Sequence, residues 1–213
     1  MITVSRITDV EKYLNGIDGV IFDLDDTLYS EKQYVKSGYR KIAAAFPQIE
    51  AMEEKLWACF LNRQKAIDTV LENEGIYTIE NVVRCVEIYR FQAPEIDLYE
   101  GVREMLLRIK ASGKKLGMIT DGRSEGQRAK IEALRLAPLF DEIIVTDELG
   151  GIEFRKPCEK AFILLAERLG VSLENSVYIG DNPNKDFIAP EKLGMKSVWF
   201  QNADGIYYNA ERR

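Results

Sequence analysis

The chain contains no histidine. That absence removes Ser-His-Asp and Cys-His catalysis, His-ligated zinc and histidine general bases, so acid–base chemistry falls to Asp, Glu, Lys, Tyr or Cys. Cysteine is scarce as well. Cys59, Cys85 and Cys158 are far apart and form no CxxC pair, which argues against a disulfide framework or a thiolate metal site and for core or surface thiols in a reducing compartment. No apolar run approaches the roughly 20 residues that a membrane helix needs. The opening stretch, "MITVSRITDVEKYLNG", scatters charges and has no apolar core, so no signal peptide is expected. Basic tracts are missing and the net charge is −6. Bulk electrostatics therefore favour neither nucleic acid nor a membrane surface, and an anionic ligand would need a local cation or basic pocket. The expectation is a cytoplasmic protein, monomeric or homodimeric.

What is present is enough for a sizeable core. The 213 residues are 46% hydrophobic and 30% charged, which suits one large domain or a core with one insert and argues against disorder. Five short apolar runs stand out: "GVIFDL" (19–24), "KLGMIT" (115–120), "EIIVT" (142–146), "SVYIG" (176–180) and "KSVWF" (196–200). They are near-continuous rather than alternating, as strands covered on both faces of a parallel sheet are. Helical patterns separate the last four: "SEGQRAKIEALRL" (124–136), "CEKAFILLAERLG" (158–170), which stops at Gly170, and the shorter "KDFIAPEKLGM" (185–195), weakened by Pro190. Strand–helix alternation predicts an α/β fold with a doubly wound parallel sheet.

The stretch 30–96 breaks this rhythm and shows no strand pattern. Helical spacing runs through "SEKQYVKSGYRKIAAAF" (30–46), which starts on Ser30 as an N-cap, then "EAMEEKLWACFLNRQKAIDTVLENEG" (50–75), then "TIENVVRCVEIYRFQ" (78–92), capped by Thr78. It reads as an all-helical insert, 30–96, closed by Pro94, in an α/β core made of 1–29 and 97–213. "YEGVREMLLRIKASG" (99–113) returns the chain to that core as a helix.

Open parallel sheets place ligands beyond the carboxyl ends of their strands. At those ends stand Asp23, Asp25, Asp26 and Thr27; Thr120, Asp121 and Gly122; Lys156 in "EFRKP"; and Asp181 with Asp186 in "GDNPNKD". Four separate segments thus deliver carboxylates, a hydroxyl and an ammonium to one sheet edge. Carboxylates held this close need a cation, and an all-oxygen set without His or Cys points to Mg²⁺, which binds alongside substrate phosphate. An aspartate can also attack phosphorus and form an aspartyl-phosphate, once its own charge is neutralised. Mg²⁺ and Lys156 would supply that neutralisation and stabilise the transferring group.

Taken together these residues resemble the haloacid dehalogenase-like superfamily. "DLDDT" (23–27) is similar to its DxDxT motif, "ITDG" (119–122) to its second motif, "RKP" (155–157) to its lysine motif and "GDNPNKD" (180–186) to its acidic motif. The four occur in order, and the helical insert sits where the family carries a helical cap. The resemblance implies Asp23 as nucleophile and metal ligand. It implies Asp25 as the group that protonates the leaving alcohol and then takes a proton from water, its backbone carbonyl also reaching the metal. Thr120 and the amide of Asp121 would hold phosphoryl oxygens, with Gly122 and Arg123 in the same substrate-binding segment. Lys156 would neutralise Asp23 and the phosphate, and Asp181 and Asp186 would complete the Mg²⁺ site. Thr27 is expected to brace the loop and Asp26 to face solvent or cap a helix. Many relatives carry asparagine where this chain has Asp121, so either Asp121 points away or Arg123 pairs with it.

Retention of Asp25 favours phosphate over carbon–halogen chemistry, because a halide needs no proton. The implied activity is Mg²⁺-dependent hydrolysis of a small phosphorylated metabolite, such as a sugar phosphate or a nucleotide monophosphate. The alternatives are a phosphomutase, which returns the phosphoryl group to substrate, and a phospho-acceptor switch protein. Candidate substrate contacts at the edges of the insert are Tyr29, Lys36, Tyr39, Arg40 and Arg90, although Tyr39 and Trp57 better suit a helical core, and Lys36 and Arg40 a solvated face. The tail "FQNADGIYYNAERR" (200–213) is expected to pack on the core or on another subunit.

Overall fold

A computed structural model describes residues 1–206 and Tyr208. Two compact units emerge: one joins Met1–Glu31 to the chain from Asp97 onward, the other is Lys32–Ile96.

The first unit is an α/β fold built on a six-stranded, all-parallel sheet. Its strands are β1 (Ile2–Val4), β2 (Gly19–Phe22), β3 (Lys115–Thr120), β4 (Glu142–Val145), β5 (Ser176–Gly180) and β6 (Lys196–Phe200), in the order β1-β6-β5-β2-β3-β4. Each of the five apolar runs forms a strand. β1 is an addition: only three residues long, it pairs Ile2 with Val198 and Val4 with Phe200 at the sheet edge. A 3₁₀ turn over Ile7–Tyr13 follows it. Val20, Ile21 and Phe22 of β2 are fully buried, as the unbroken apolar pattern requires of a central strand. Around the sheet run α5 (Val102–Ala111), α6 (Ser124–Ala133), α7 (Lys160–Leu169) and α8 (Ile188–Lys192). α7 packs Ala161, Phe162, Leu165 and Leu169 into a cluster with Ile21, Ile119, Ile144 and Tyr178 of the strands. α8 has only five residues, with Pro190 in its first turn, where a missing N–H costs least.

The second unit is helical: most of α1 (Glu31–Ala45), then α2 (Met52–Leu61), α3 (Ala66–Asn73) and α4 (Ile79–Arg90). Its core gathers Val35, Tyr39, Ile42, Phe46, Leu56, Val70, Leu71 and Cys85. The helical pattern over 50–75 is two helices rather than one, interrupted at Arg63, which adopts φ 55°. Thr78 caps α4 by accepting from Asn81 N at 3.1 Å. Ser30 does not cap α1, since its hydroxyl donates to Asp204 Oδ2 (3.0 Å) while Asp26 Oδ1 accepts from Glu31 N (2.8 Å). Tyr39 is a core residue, Trp57 packs beside it, and Lys36 Nζ lies 4.5 Å over the Trp57 ring. Arg40 pairs with Glu95 at 2.6 Å, and Arg90 is exposed at the end of α4.

Strand order sets where chemistry can occur. From β2 the chain builds outward through β3 and β4, then crosses back to β5 on the other side of β2. The crevice of such a sheet opens at that reversal, beyond the carboxyl end of β2.

Candidate active site

Asp23 leaves β2 at the reversal, with its N–H bonded to Ile179 O of β5 at 2.9 Å. That bond extends the β2–β5 ladder by one residue and fixes the carboxylate at the sheet edge. Asp181 follows β5 directly. Asp186 returns from the next turn, its Oδ2 accepting from Asn182 N at 2.9 Å. Gly180 permits this return, because a Cβ there would sit 2.5 Å from Asp186 Oδ2. Asp23, Asp181 and Asp186 each offer an oxygen within 4.8 Å of the others, and all three are buried. Lys156, on the loop after β4, places Nζ 2.8 Å from Asp23 Oδ1 and 2.8 Å from Asp186 Oδ1, and donates to Tyr178 Oη at 2.8 Å.

The donor set fits a hard divalent cation. Every ligand atom is oxygen. Asp186 Oδ1 is buried without a hydrogen-bond partner, because Lys156 Nζ approaches it at 2.8 Å but out of line for a hydrogen bond. The charge state says the same. Burial pushes Asp23 up to about 6, with Asp186 adding to the rise and Lys156 only partly offsetting it. Burial, Asp186 and Asp23 push Asp181 well above the carboxylate range. Burial opposes the charge on Lys156, but Asp186 and Asp23 outweigh it and hold the ammonium well above the usual lysine value. Three crowded carboxylates with one internal ammonium thus lack a counter-charge that a divalent ion would bring.

This has a measurable consequence for the metal-free protein. Between the ordinary aspartate value of 3.8 and about 6, the folded state keeps a proton on Asp23 that the unfolded chain releases. Asp23 therefore favours folding at low pH relative to high pH, and that contribution is lost as pH rises through this window. Metal-free Asp23→Asn, in which Lys156 keeps Asp186 and Tyr178, is expected to melt above wild type at about pH 7.5, with the gap closing toward about pH 5. Calorimetry at both pH values checks it; a gap that does not change with pH would contradict the burial argument.

Asp25 lies apart from this triad. Its Oδ1 accepts from Lys130 Nζ (2.7 Å) and from the Tyr29 hydroxyl, and its Oδ2 from Gln127 Nε2 (2.8 Å). Burial works against its charge, yet Lys130, Tyr29 and Gln127 together hold the carboxyl below its usual value. Gln127 also donates to the buried Thr120 hydroxyl, so the end of β3 is tied to Asp25. Sequence reading missed Lys130 and Gln127. The available signal was their spacing, since Gln127, Lys130 and Ile131 share the buried face of α6, continued by Leu134 just past its end, and two polar residues interrupt an inward stripe. Tyr29 is fully buried against Asp25 rather than turned outward as a substrate contact.

Asp121 has a partner that neither sequence alternative named. It does not point away and is not paired with Arg123, which is exposed at the start of α6. Its Oδ2 accepts from Lys185 Nζ at 3.0 Å, and its Oδ1 from Thr146 Oγ1 (3.0 Å) and Lys156 N (3.1 Å). One side chain thereby links the ends of β3 and β4, the lysine loop and the acidic loop. Burial opposes its charge, but Lys156 and Lys185 hold it low. Gly122 follows at φ 136°, a conformation closed to L side chains, and lets the turn enter α6.

Asp26 is fully buried rather than solvated. It adopts φ 54°, and its Oδ2 accepts from Ile206 N (2.8 Å) while its carbonyl accepts from Asn202 Nδ2 (2.8 Å). The tail as far as Ile206 therefore braces the loop that follows β2, Tyr208 is exposed, and Tyr207 lies outside the described residues. Thr27 is buried, with its N–H on Leu24 O (3.3 Å) and its hydroxyl without a hydrogen-bond partner.

Comparison with known proteins now adds to this geometry. The model of the haloacid dehalogenase-like hydrolase family matches residues 20–200. The chain belongs to that family. It is an enzyme of this hydrolase class, and its relatives include phosphatases. A glyceraldehyde 3-phosphate phosphatase of Methanocaldococcus jannaschii is 28% identical over 199 residues, covering 85% of this chain and 84% of the relative. Another of the same description, from Methanopyrus kandleri, is 28% identical over 211 residues, covering 92% and 88%. The crystal structure of a haloacid dehalogenase superfamily hydrolase, subfamily IA, from Geobacter sulfurreducens shares the fold, with a TM-score of 0.69 at 20% identity, covering 88% of this chain and 89% of that one.

Proposed function

We propose that this haloacid dehalogenase-like hydrolase is a Mg²⁺-dependent phosphatase that cleaves a small phosphorylated metabolite through an aspartyl-phosphate on Asp23. The observation that carries the reading is the buried trio of Asp23, Asp181 and Asp186 around one lysine, at the carboxyl end of the central strand. A sugar phosphate fits the relatives described as glyceraldehyde 3-phosphate phosphatases, and a nucleotide monophosphate offers the same ester. The α/β unit is the catalytic core, and the helical insert is the cap that selects substrate and excludes water. The setting is cytoplasmic.

The roles follow from the groups present. Asp23, Asp181 and Asp186 would hold Mg²⁺, with the Asp25 backbone carbonyl as a further oxygen. When bound, the ion supplies positive charge against the phosphoryl oxygens and against the crowded carboxylates. Asp23 attacks phosphorus in line with the leaving alcohol, and the P–O ester bond breaks as the acyl-phosphate forms. Lys156 removes the repulsion between the Asp23 carboxylate and the incoming dianion. Asp25 gives a proton to the departing alkoxide, then takes one from the water that attacks the same phosphorus and frees Asp23. The charged form that Lys130, Tyr29 and Gln127 favour suits the second of these steps, and the proton Asp25 then takes from water is the one it gives to the alkoxide of the next substrate. Thr120, which Gln127 ties to Asp25, and the Asp121 amide would hold phosphoryl oxygens, with Gly122 and Arg123 in the same segment.

The test is phosphate release from a panel of sugar phosphates and nucleotides. Release equal to substrate consumed is expected with Mg²⁺, abolished by a chelator and inhibited by excess Ca²⁺, whose longer and more numerous bonds spoil in-line geometry. Equal release with and without the chelator would overturn the metal assignment. Conversion of substrate to an isomer without free phosphate would overturn hydrolysis.

A further inference from the structure

Lys156 is turned inward. None of its side chain is exposed. Three oxygens, of Asp23, Asp186 and Tyr178, each sit 2.8 Å from Nζ. Lys185 differs in each respect. It directly precedes Asp186, its side chain is 33% exposed, and among the described residues its Nζ has one oxygen partner, Asp121 Oδ2 at 3.0 Å. Two of its N–H donors remain for a ligand. It faces the field of Asp23 and Asp186 as well as that of Asp121. Asp121 belongs to the turn after β3, whose amide is the proposed phosphoryl donor, so the reserve cation sits beside the group it would serve.

We propose that Lys185 is a second ammonium, besides Lys156, that binds the phosphoryl oxygens of the substrate, with Asp121 as its counter-ion before substrate arrives. Lys156 also acts as the internal counter-charge of Asp23 and Asp186. This division of labour rests on the phosphatase reading and refines it: Lys156 governs the reactivity of the nucleophile, and Lys185 adds to the capture of phosphate. It also accounts for an aspartate at position 121, where asparagine could accept from Lys156 N and Thr146 but could not neutralise Lys185.

The probe is inorganic phosphate, titrated calorimetrically into the Mg²⁺-loaded full chain. Lys185→Met is expected to weaken phosphate binding about tenfold to a hundredfold, the range of a lost charge-assisted contact. Its KM for a cleaved ester should rise by a similar factor, with kcat falling less than about threefold. Lys185→Arg should recover most of the phosphate affinity. Lys185→Gln, read the same way, replaces Lys185→Met if the latter does not fold by circular dichroism. A folded Lys185→Met or Lys185→Gln protein that binds phosphate as wild type does would overturn the proposal, as would an arginine variant no better than these. Wild type that cleaves no ester yet binds phosphate through Lys185 would defeat the phosphatase reading and leave the phosphate site standing. Brisk wild-type turnover with an indifferent Lys185→Met would defeat this inference alone.

Discussion

Asp23→Asn is expected to release phosphate at least about 10⁴-fold more slowly than wild type while remaining folded, the scale seen when a covalent nucleophile is removed. An amide has no lone pair comparable to that of a carboxylate, so the first displacement has no attacking group. The structure makes this test unusually clean. Lys156 keeps Asp186 Oδ1 at 2.8 Å and Tyr178 Oη at 2.8 Å, so the lysine is not stranded. The metal-free variant also gains stability at neutral pH, because a carboxylate pushed up to about 6 by burial no longer has to be buried charged. Activity should therefore collapse as the melting temperature rises, a combination that unfolding cannot produce. Steady-state assays and calorimetry on one preparation check it, and a stable variant that retains turnover would remove Asp23 from the mechanism.

Asp25→Asn is expected to separate the two halves of the reaction. Positioned proton transfer contributes about 10²–10⁴-fold. A sugar alcohol leaves as a strong base and needs the proton, so its phosphate ester should lose the full factor. An acidic phenol leaves without help, so an aryl phosphate should still phosphorylate Asp23 quickly. Water then lacks its base and the intermediate accumulates. Rapid mixing should show a burst of phenol equal to the enzyme present, followed by slow turnover. Equal losses for both esters with no burst would count against the proton-transfer role. The same variant keeps the Tyr29 and Gln127 neighbours but loses the charge that pairs with Lys130 at 2.7 Å, so its stability should fall, unlike that of Asp23→Asn.

The sheet was legible wherever burial dictated it. β2, β3 and β5 are covered on both faces, and nothing but unbroken apolar residues suits them. β1 was invisible because three residues at an edge, Ile2–Val4, gain their order from partners on β6 almost two hundred positions away and carry no pattern of their own. The break between α2 and α3 escaped for a related reason: apolar spacing continues through it, while Arg63 turns the backbone at φ 55°. In the site, the acids were legible because a run of carboxylates at a strand end has few other physical explanations. Two of their cations, unlike Lys156, were not. Lys130 reaches Asp25 across 105 positions and Lys185 reaches Asp121 across 64, and on a surface rich in lysine only the fold shows which ones turn inward.

The central claim is that the Asp23 carboxylate becomes phosphorylated during turnover. The most direct measurement is to quench the working, Mg²⁺-loaded enzyme in acid, reduce any acyl-phosphate with borohydride and map the peptides by mass spectrometry. Reduction converts a phosphorylated aspartate to homoserine, and the account predicts homoserine at position 23 alone, dependent on substrate. Unmodified Asp23 in enzyme quenched during the Asp25→Asn burst, or homoserine at another aspartate, would contradict it.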